Sequence, residues 1–253
     1  MARVIAIANQ KGGVGKTTTV ANLGAALAER GMDVAIVDLD PQAALTAGFG
    51  LDPYSLSRTT YTLIARDGIP FAGTLRPIHR NLTLCPASVD LAAAEIQIAN
   101  YPDRANRLQA ALERNRLHFD FILIDTPPSV GVLTVNSLVA AQELIVPVQC
   151  NYLPMRGVRS LLETVWLVHE RMNPGLELLG VLPTMYRAGS KHCHEVVAEL
   201  RDVFKDKVFK VVIEEEDAVA EAPVAKKSVL AYASGSRAAE AYRRLAEEIL
   251  HGR

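Results

Sequence analysis

This sequence predicts an α/β protein with a doubly wound, mostly parallel sheet flanked by helices, and three observations predict it. Short, continuously apolar runs recur along the chain, stretches of helical apolar spacing separate them, and a glycine-rich turn joins the first run to the first helix. Unbroken apolar runs are what parallel strands show when helices cover both faces of a sheet. The runs at 4–8, 34–37, 82–84, 121–124, 144–148, 178–182 and 208–213 read as strands. Between the first two, 17–30 reads as a helix stopped by Gly31, a residue suited to a left-handed C-terminal cap. Segment 51–73, with Pro53, Gly68 and Pro70, reads as surface helices and loops. Val158, Leu161, Leu162, Val165 and Val168 mark one face of a later helix that ends before Asn173, Pro174 and Gly175. Val196, Val197, Leu200, Val203 and Phe204 mark a third, and a last helix over 236–250 turns Ala238, Ala241, Tyr242, Leu245 and Ile249 inward. No repeat or linker breaks the alternation, so 1–253 is expected to be a single domain.

Composition narrows the function classes. Twenty-seven basic side chains against 28 acidic ones leave a net charge of −1, so any nucleic-acid contact must come from a local patch. With 49% hydrophobic residues the chain is not disordered, and at 253 residues it needs no disulfide or metal to hold a core. Cys85, Cys150 and Cys193 are far apart with no CxxC pair, so they read as small buried hydrophobes. Met1-Ala-Arg-Val-Ile-Ala6 moves directly into an apolar strand without the pattern of a signal peptide, and no run of 18 apolar residues exists. The expectation is a cytoplasmic protein with no membrane span.

Chemistry concentrates at Lys11-Gly-Gly-Val-Gly-Lys-Thr-Thr18, between the first strand and the first helix. Phosphates need closely packed backbone N–H donors, which glycines expose because no Cβ blocks the approach. The helix that begins there adds its positive dipole end. Lys16 is placed to reach the β- and γ-phosphates and the Thr17 hydroxyl to ligate Mg²⁺. The usual GxxxxGK[ST] pattern fails at one position, where Gln10 replaces glycine; Gly12 and Gly13 supply the flexibility and an extra lysine, Lys11, precedes them. Two more strands end in carboxylates: 121–124 in Asp125, in the manner of a Walker B strand, and 34–37 in Asp38, with Asp40 two residues on. Ligands of open α/β sheets bind at that edge.

Together these segments resemble the deviant-Walker ATPases of the ParA and MinD superfamily, above all its ParA partition branch, often called Soj in bacteria. Asp38-Leu-Asp-Pro-Gln42 and Asp125-Thr-Pro-Pro-Ser129 belong to the likeness, as do Val148-Gln149, Pro183-Thr-Met185 and Glu221-Ala-Pro223. The resemblance implies a P-loop ATPase using ATP/ADP and Mg²⁺, with Lys11, Gly12, Gly13, Val14, Gly15, Lys16, Thr17 and Thr18 around the nucleotide. It implies that Lys11 reaches the nucleotide of a second subunit, that Asp40 orients the attacking water, and that Thr17, Asp38 and Asp125 surround the Mg²⁺. Met185, Ile213 and Glu214 fall on the adenine side. The family is expected to form an ATP-dependent homodimer on the nucleoid that binds DNA nonspecifically and is stimulated by a ParB-type partner.

Further readings share the core. A MinD-type membrane positioner needs a bulky amphipathic tail, whereas 242–253 carries Glu247 and Glu248 and reads as a packed helix. An iron–sulfur relative needs thiolates at a dimer interface, and a small-molecule ligase or amidase of this fold needs substrate-binding inserts. A positioner of protein cargo on the nucleoid would use the same ATPase core. His192 and His194 point about 200° apart on a helix, so they read as solvated and not as a metal pair. Trp166 reads as core or interface.

One stretch departs from the partition pattern. Where such ATPases carry a Pro-Arg-Asn stretch and a further arginine, this chain has Glu214-Glu-Glu-Asp217, an acidic turn that repels phosphate. DNA binding is therefore expected to use other cations, among them Arg187, Lys191, Lys226, Lys227 and Arg237.

Overall fold

The computed structural model describes residues 2–114, 119–150 and 154–252. Its centre is one seven-stranded sheet. The first strand, β1 (Arg3–Ile7), leads through the glycine loop into α1 (Lys16–Glu29), β2 (Val34–Asp38) and the short α2 (Ala44–Gly48). Then come α3 (Thr60–Ala65), α4 (Phe71–Thr74), β3 (Arg76–His79), β4 (Leu82–Cys85), α5 (Leu91–Ile98), α6 (Arg107–Arg114) and β5 (Phe121–Asp125). The rest is α7 (Val132–Ala140), β6 (Glu143–Gln149), α8 (Pro154–Arg171), β7 (Glu177–Thr184), α9 (Lys191–Phe204), α10 (Asp217–Val224), α11 (Val229–Tyr232) and α12 (Arg237–His251).

The strand order is β3-β4-β2-β5-β1-β6-β7, parallel throughout except for β3, which runs antiparallel to β4. The doubly wound class is therefore as expected. Alternate residues of one strand feed two cores: Ile5 and Ile7 join α1 and α12, while Val4 and Ala6 join α5, α7 and α8. Helix α1 lies so close to the sheet at Gly24 that a Cβ there would sit 2.8 Å from Ile36 Cγ2. All three cysteines are buried.

Several sequence expectations need correction. Residues 208–213 form no strand; isolated bridges, Val181 with Val208 and Tyr186 with Glu214, and the bonds from the Phe209 and Ile213 N–H groups to the Val181 and Pro183 carbonyls tie this segment to β7 and the chain just beyond it. Glu248 of α12 accepts from the N–H groups of Lys210 (3.0 Å) and Val211 (2.9 Å), taking donors that a ladder would use. The 51–73 segment is not wholly superficial, because Thr60, Leu63, Ile64 and Phe71 are buried and Arg107 donates to the Ile64 carbonyl at 2.7 Å. Strand β3 was invisible in a sequence with Pro77 and a single apolar residue, Ile78; proline is tolerated there because β3 is an edge strand. Trp166 is 61% exposed, which removes the core reading. His192 and His194 are exposed, as expected.

Candidate active site

Strand β1 ends at the centre of the sheet, between β5 and β6, so the loop after it emerges at the carboxyl edge. Residues 8–15 are held from several sides. Asn9 donates to the Pro147 carbonyl (2.7 Å) and accepts from the Lys11 N–H (3.0 Å), and the Thr184 hydroxyl donates to the Val14 carbonyl (2.9 Å). Gly13 and Gly15 have φ of 71° and 88°, left-handed conformations that L side chains rarely adopt. Gly15 is the N-cap of α1 and supplies no side-chain acceptor, and the first turn of α1 holds no acid. A helix N-terminus with open N–H groups and a positive dipole end faces the loop, which is the physical form of an anion site.

Lys16 is nearly buried and its Nζ reaches back 3.3 Å to the Lys11 carbonyl. Burial lowers its pKa, opposed by the charges of Asp125 and Asp40. The Lys11 side chain is exposed and donates to Gln149 Oε1 at 3.2 Å.

Opposite the loop, Asp38 and Asp125 stand in register on adjacent parallel strands, both fully buried. Asp38 accepts from the Thr46 N–H (2.9 Å), the Thr46 hydroxyl (2.6 Å) and the Asp40 N–H (3.2 Å). Burial still pushes it up to about 6, outweighing those bonds. Among the described residues no donor completes a hydrogen bond to either oxygen of Asp125; the Thr17 hydroxyl is the side chain turned towards it. Burial first, and then the charge of Asp38, hold its pKa well above the ordinary carboxylate range. Two facing carboxylates sealed from water resist ionising together unless a cation lies between or beside them. Asp40 sits just outside the pair, almost buried, with Oδ1 accepting from the Gln42 N–H at 2.9 Å.

This oxygen-only set suits a hard divalent cation. Among the described residues no group of three or more His, Cys, Asp or Glu could hold a metal alone. Mg²⁺ usually keeps several waters and takes one or two carboxylates together with substrate phosphates.

The remaining expected residues divide into two groups. Met185, Ile213 and Glu214 come together: Ile213 donates to the Pro183 carbonyl (2.9 Å) and accepts from Tyr186 N–H (3.0 Å), and Glu214 bridges to Tyr186. Three of the expected DNA cations are already engaged by acids, two of them at the acidic turn. Arg237 pairs with Glu214 (2.7 Å), Arg187 with Glu215 (3.6 Å) and Lys191 with Glu195 (3.7 Å). Lys226 and Lys227 are exposed in the turn between α10 and α11. Sequence reasoning missed Asn9 and Thr46, which lock the loop and Asp38. A polar residue in the short apolar α2 was the one available signal for Thr46.

A sheet of this order, a glycine loop after its central strand and buried acids at neighbouring strand ends define a P-loop nucleoside triphosphatase of the deviant Walker type. A family profile described as an AAA domain matches residues 2–178. The chromosome-partitioning ATPase Soj of Thermus thermophilus is 44% identical over 98% of this chain and 95% of its own length. The sporulation initiation inhibitor protein Soj of Bacillus subtilis is 41% identical over 98% of both chains. A cobyrinic acid a,c-diamide synthase from Mycobacterium smegmatis, solved with ADP and magnesium, superposes with a TM-score of 0.87 at 40% identity, covering 99% of this chain and 95% of that one. The chain belongs to the ParA/Soj family of the ParA/MinD superfamily.

Proposed function

We propose that this chain is a Mg²⁺-dependent partition ATPase, a single ATPase domain that works as an ATP-sandwich dimer, binds DNA nonspecifically and is stimulated by a ParB-type partner. The observation that carries the reading is the buried pair Asp38 and Asp125, both Asp125 oxygens lacking a donor among the described residues, beside an uncapped helix N-terminus and a buried lysine. Each of these is costly in isolation and is relieved by phosphate and a divalent cation.

In this reading Gly12, Gly13, Val14 and Gly15 offer backbone donors to the phosphates, and the N–H groups of Thr17 and Thr18 add the helix end. Lys16 exchanges the Lys11 carbonyl for phosphate oxygen. Thr17, Asp38 and Asp125 would hold the magnesium, which would supply positive charge against the phosphate oxygens. Asp40 orients the attacking water and takes part of its developing positive charge. Lys11, exposed at the loop entrance, leaves Gln149 to meet the nucleotide of the second subunit, as an arginine finger does. Met185, Ile213 and Glu214 flank the adenine.

DNA contact falls to the cations without carboxylate partners, of which Lys226 and Lys227 are the named pair. Membrane docking by the last helix has no support: its apolar face, with Tyr242, Leu245 and Ile249, is buried in the core. No helix among the described residues is long and apolar enough to cross a membrane. These features favour a cytoplasmic, nucleoid-associated protein.

The test is a titration of duplex DNA with ATP, with ADP and without nucleotide. DNA affinity confined to the ATP state is expected. Replacing Lys226 and Lys227 by Glu should weaken binding alike on all sequences. It should also flatten the slope of log K against log salt by about 0.9 for each phosphate the protein no longer neutralises. An ATP dimer with no DNA affinity at low salt would turn the reading away from the nucleoid, to a positioner on a protein surface. It would equally favour a second reading, ATP-driven amide formation, for which the Mycobacterium smegmatis neighbour speaks.

A further inference from the structure

A groove of about 680 Å³ lies away from the nucleotide loop, between α1, the β3–β4 hairpin and the turn into α11. Its wall and floor are apolar: Ala28, Phe49 and Ile78 are only half-buried although they pack on the core that contains α1 and α12. Its rim is basic, formed by Arg80, Lys226 and Lys227. The one carboxylate on that rim, Glu29, is already held by Arg243 through bonds of 2.8 and 3.3 Å. In a chain of net charge −1 this is a local surplus of positive charge around exposed apolar surface.

The backbone presents the cations on tightly shaped turns. Lys226 has φ of 59°, and its stem lies across Gly50, where a Cβ would stand 2.9 Å from Lys226 Cδ. Asn81, at the hairpin tip beside Arg80, has φ of 62°. A second cavity of about 210 Å³ shares Phe49 and Lys227 with the groove and extends to Thr17 and Thr18 at the start of α1. Phe49 and Lys227 thus line both cavities.

We propose that this groove is a docking site for an acidic, amphipathic segment of a protein partner. Bulky apolar side chains of the segment sit on Phe49 and Ile78, and its carboxylates meet Arg80, Lys226 and Lys227. Duplex DNA fits the rim but not the floor, since phosphates would leave the apolar surface uncovered. The segment and DNA therefore compete for the same two lysines while differing in their need for the floor.

The experiment pans a displayed library of random 16-residue peptides against the full chain loaded with ATP and Mg²⁺. Enriched peptides are then titrated by fluorescence anisotropy against the wild type and two variants. Arg80→Glu reverses a rim charge, and Ala231→Glu places an acid in the exposed groove wall without touching the core. Selection of peptides that combine Asp or Glu with large apolar residues is expected, with affinity falling about tenfold or more in each variant. Circular dichroism of both variants should match the wild type. Selection of neutral or basic peptides, or no selection at all, overturns the proposal, as does peptide affinity indifferent to both substitutions. DNA affinity that falls in both variants while no acidic peptide is selected assigns the rim to DNA instead. Because peptide binding is read without DNA or turnover, its failure is separate from any failure of the partition reading.

Discussion

Two charged regions of this molecule obey opposite rules. At the carboxyl edge of the sheet, no donor among the described residues completes a hydrogen bond to Asp125, Asp38 stays above its ordinary pKa despite three bonds, and Lys16 reaches back to the Lys11 carbonyl. In the acidic turn at 214–217 the charges are used up. Glu214 pairs with Arg237, Glu215 with Arg187, and Glu216 accepts from the Ala238 N–H at 2.8 Å in the first turn of α12. Asp217 opens α10, where a negative charge favours the helix dipole. Unsatisfied charge that is buried marks a place that waits for a ligand; satisfied charge at the surface marks architecture. The acidic turn is therefore neither a bare solvated loop nor a second site.

The contrast between the two regions breaks first, if it breaks, at Lys16. Lys16→Ala should lower ATP affinity by about 100-fold or more, because a partly desolvated cradle then holds the phosphates without its charge-assisted hydrogen bond. Calorimetric titration would measure it, and unchanged affinity would mean that the loop does not hold phosphate. Asp40→Ala should bind ATP with near-normal affinity yet turn over about 10²- to 10⁴-fold more slowly, the range expected when a positioned acid–base group is removed. Single-turnover hydrolysis reads the loss, and a wild-type rate would exclude Asp40 as the group that orients water.

Asp125→Asn tests the unsatisfied pair through stability. A carboxyl whose pKa is raised on folding binds more protons folded than unfolded between the two values, so stability falls as pH rises through that window. For Asp38 the window runs from 3.8 to about 6, and its rise alone corresponds to about 3 kcal/mol at full effect. The nucleotide-free wild type should therefore lose stability from about pH 4 to about pH 6 and stay lower above it. Asp125→Asn removes one of the two facing charges, so its melting temperature should exceed the wild type's at pH 8 and approach it at pH 4. Stabilisation of the wild type by Mg²⁺ and nucleotide should shrink in the same variant. Parallel pH profiles would show that the pair is not strained.

Much of this was legible in the sequence, for a physical reason. Glycines at 12, 13 and 15, a lysine and a threonine must be contiguous to cradle phosphate, so the loop is written in consecutive letters. Apolar runs such as 121–124 name buried parallel strands for the same local reason. What stayed hidden depends on residues that are distant in sequence. Glu248 prevents a strand at 210–211 from 37 residues or more away, and no pattern in 208–213 announces it. Thr46 reaches Asp38 only because α2 folds back over the strand end. The pairing of Arg187 with Glu215 and of Arg237 with Glu214 was hidden too, whereas that of Lys191 with Glu195, four residues on along one helix, was open to view.

Those hidden pairs yield the smallest effect and the sharpest test of the surface half of the contrast. Arg187 and Glu215 are 67% and 61% exposed, and their 3.6 Å pair is screened by water, worth about 0–1 kcal/mol. Glu215→Gln should leave the melting temperature nearly unchanged. It removes one anion from the turn and frees one guanidinium, so the ATP-bound protein gains a cation able to reach phosphate. If the turn keeps this edge away from DNA, the variant should bind duplex DNA a few-fold more tightly at low salt. Its log K against log salt should steepen by about 0.9, the contribution of one released counterion. The direction matters more than the size, because a merely structural Glu215 would shift neither quantity. A steeper slope with unchanged stability would identify Glu215 as the group that withholds Arg187 from DNA. An unchanged slope would place the DNA surface elsewhere, with Lys226 and Lys227 as the cations still to be tested.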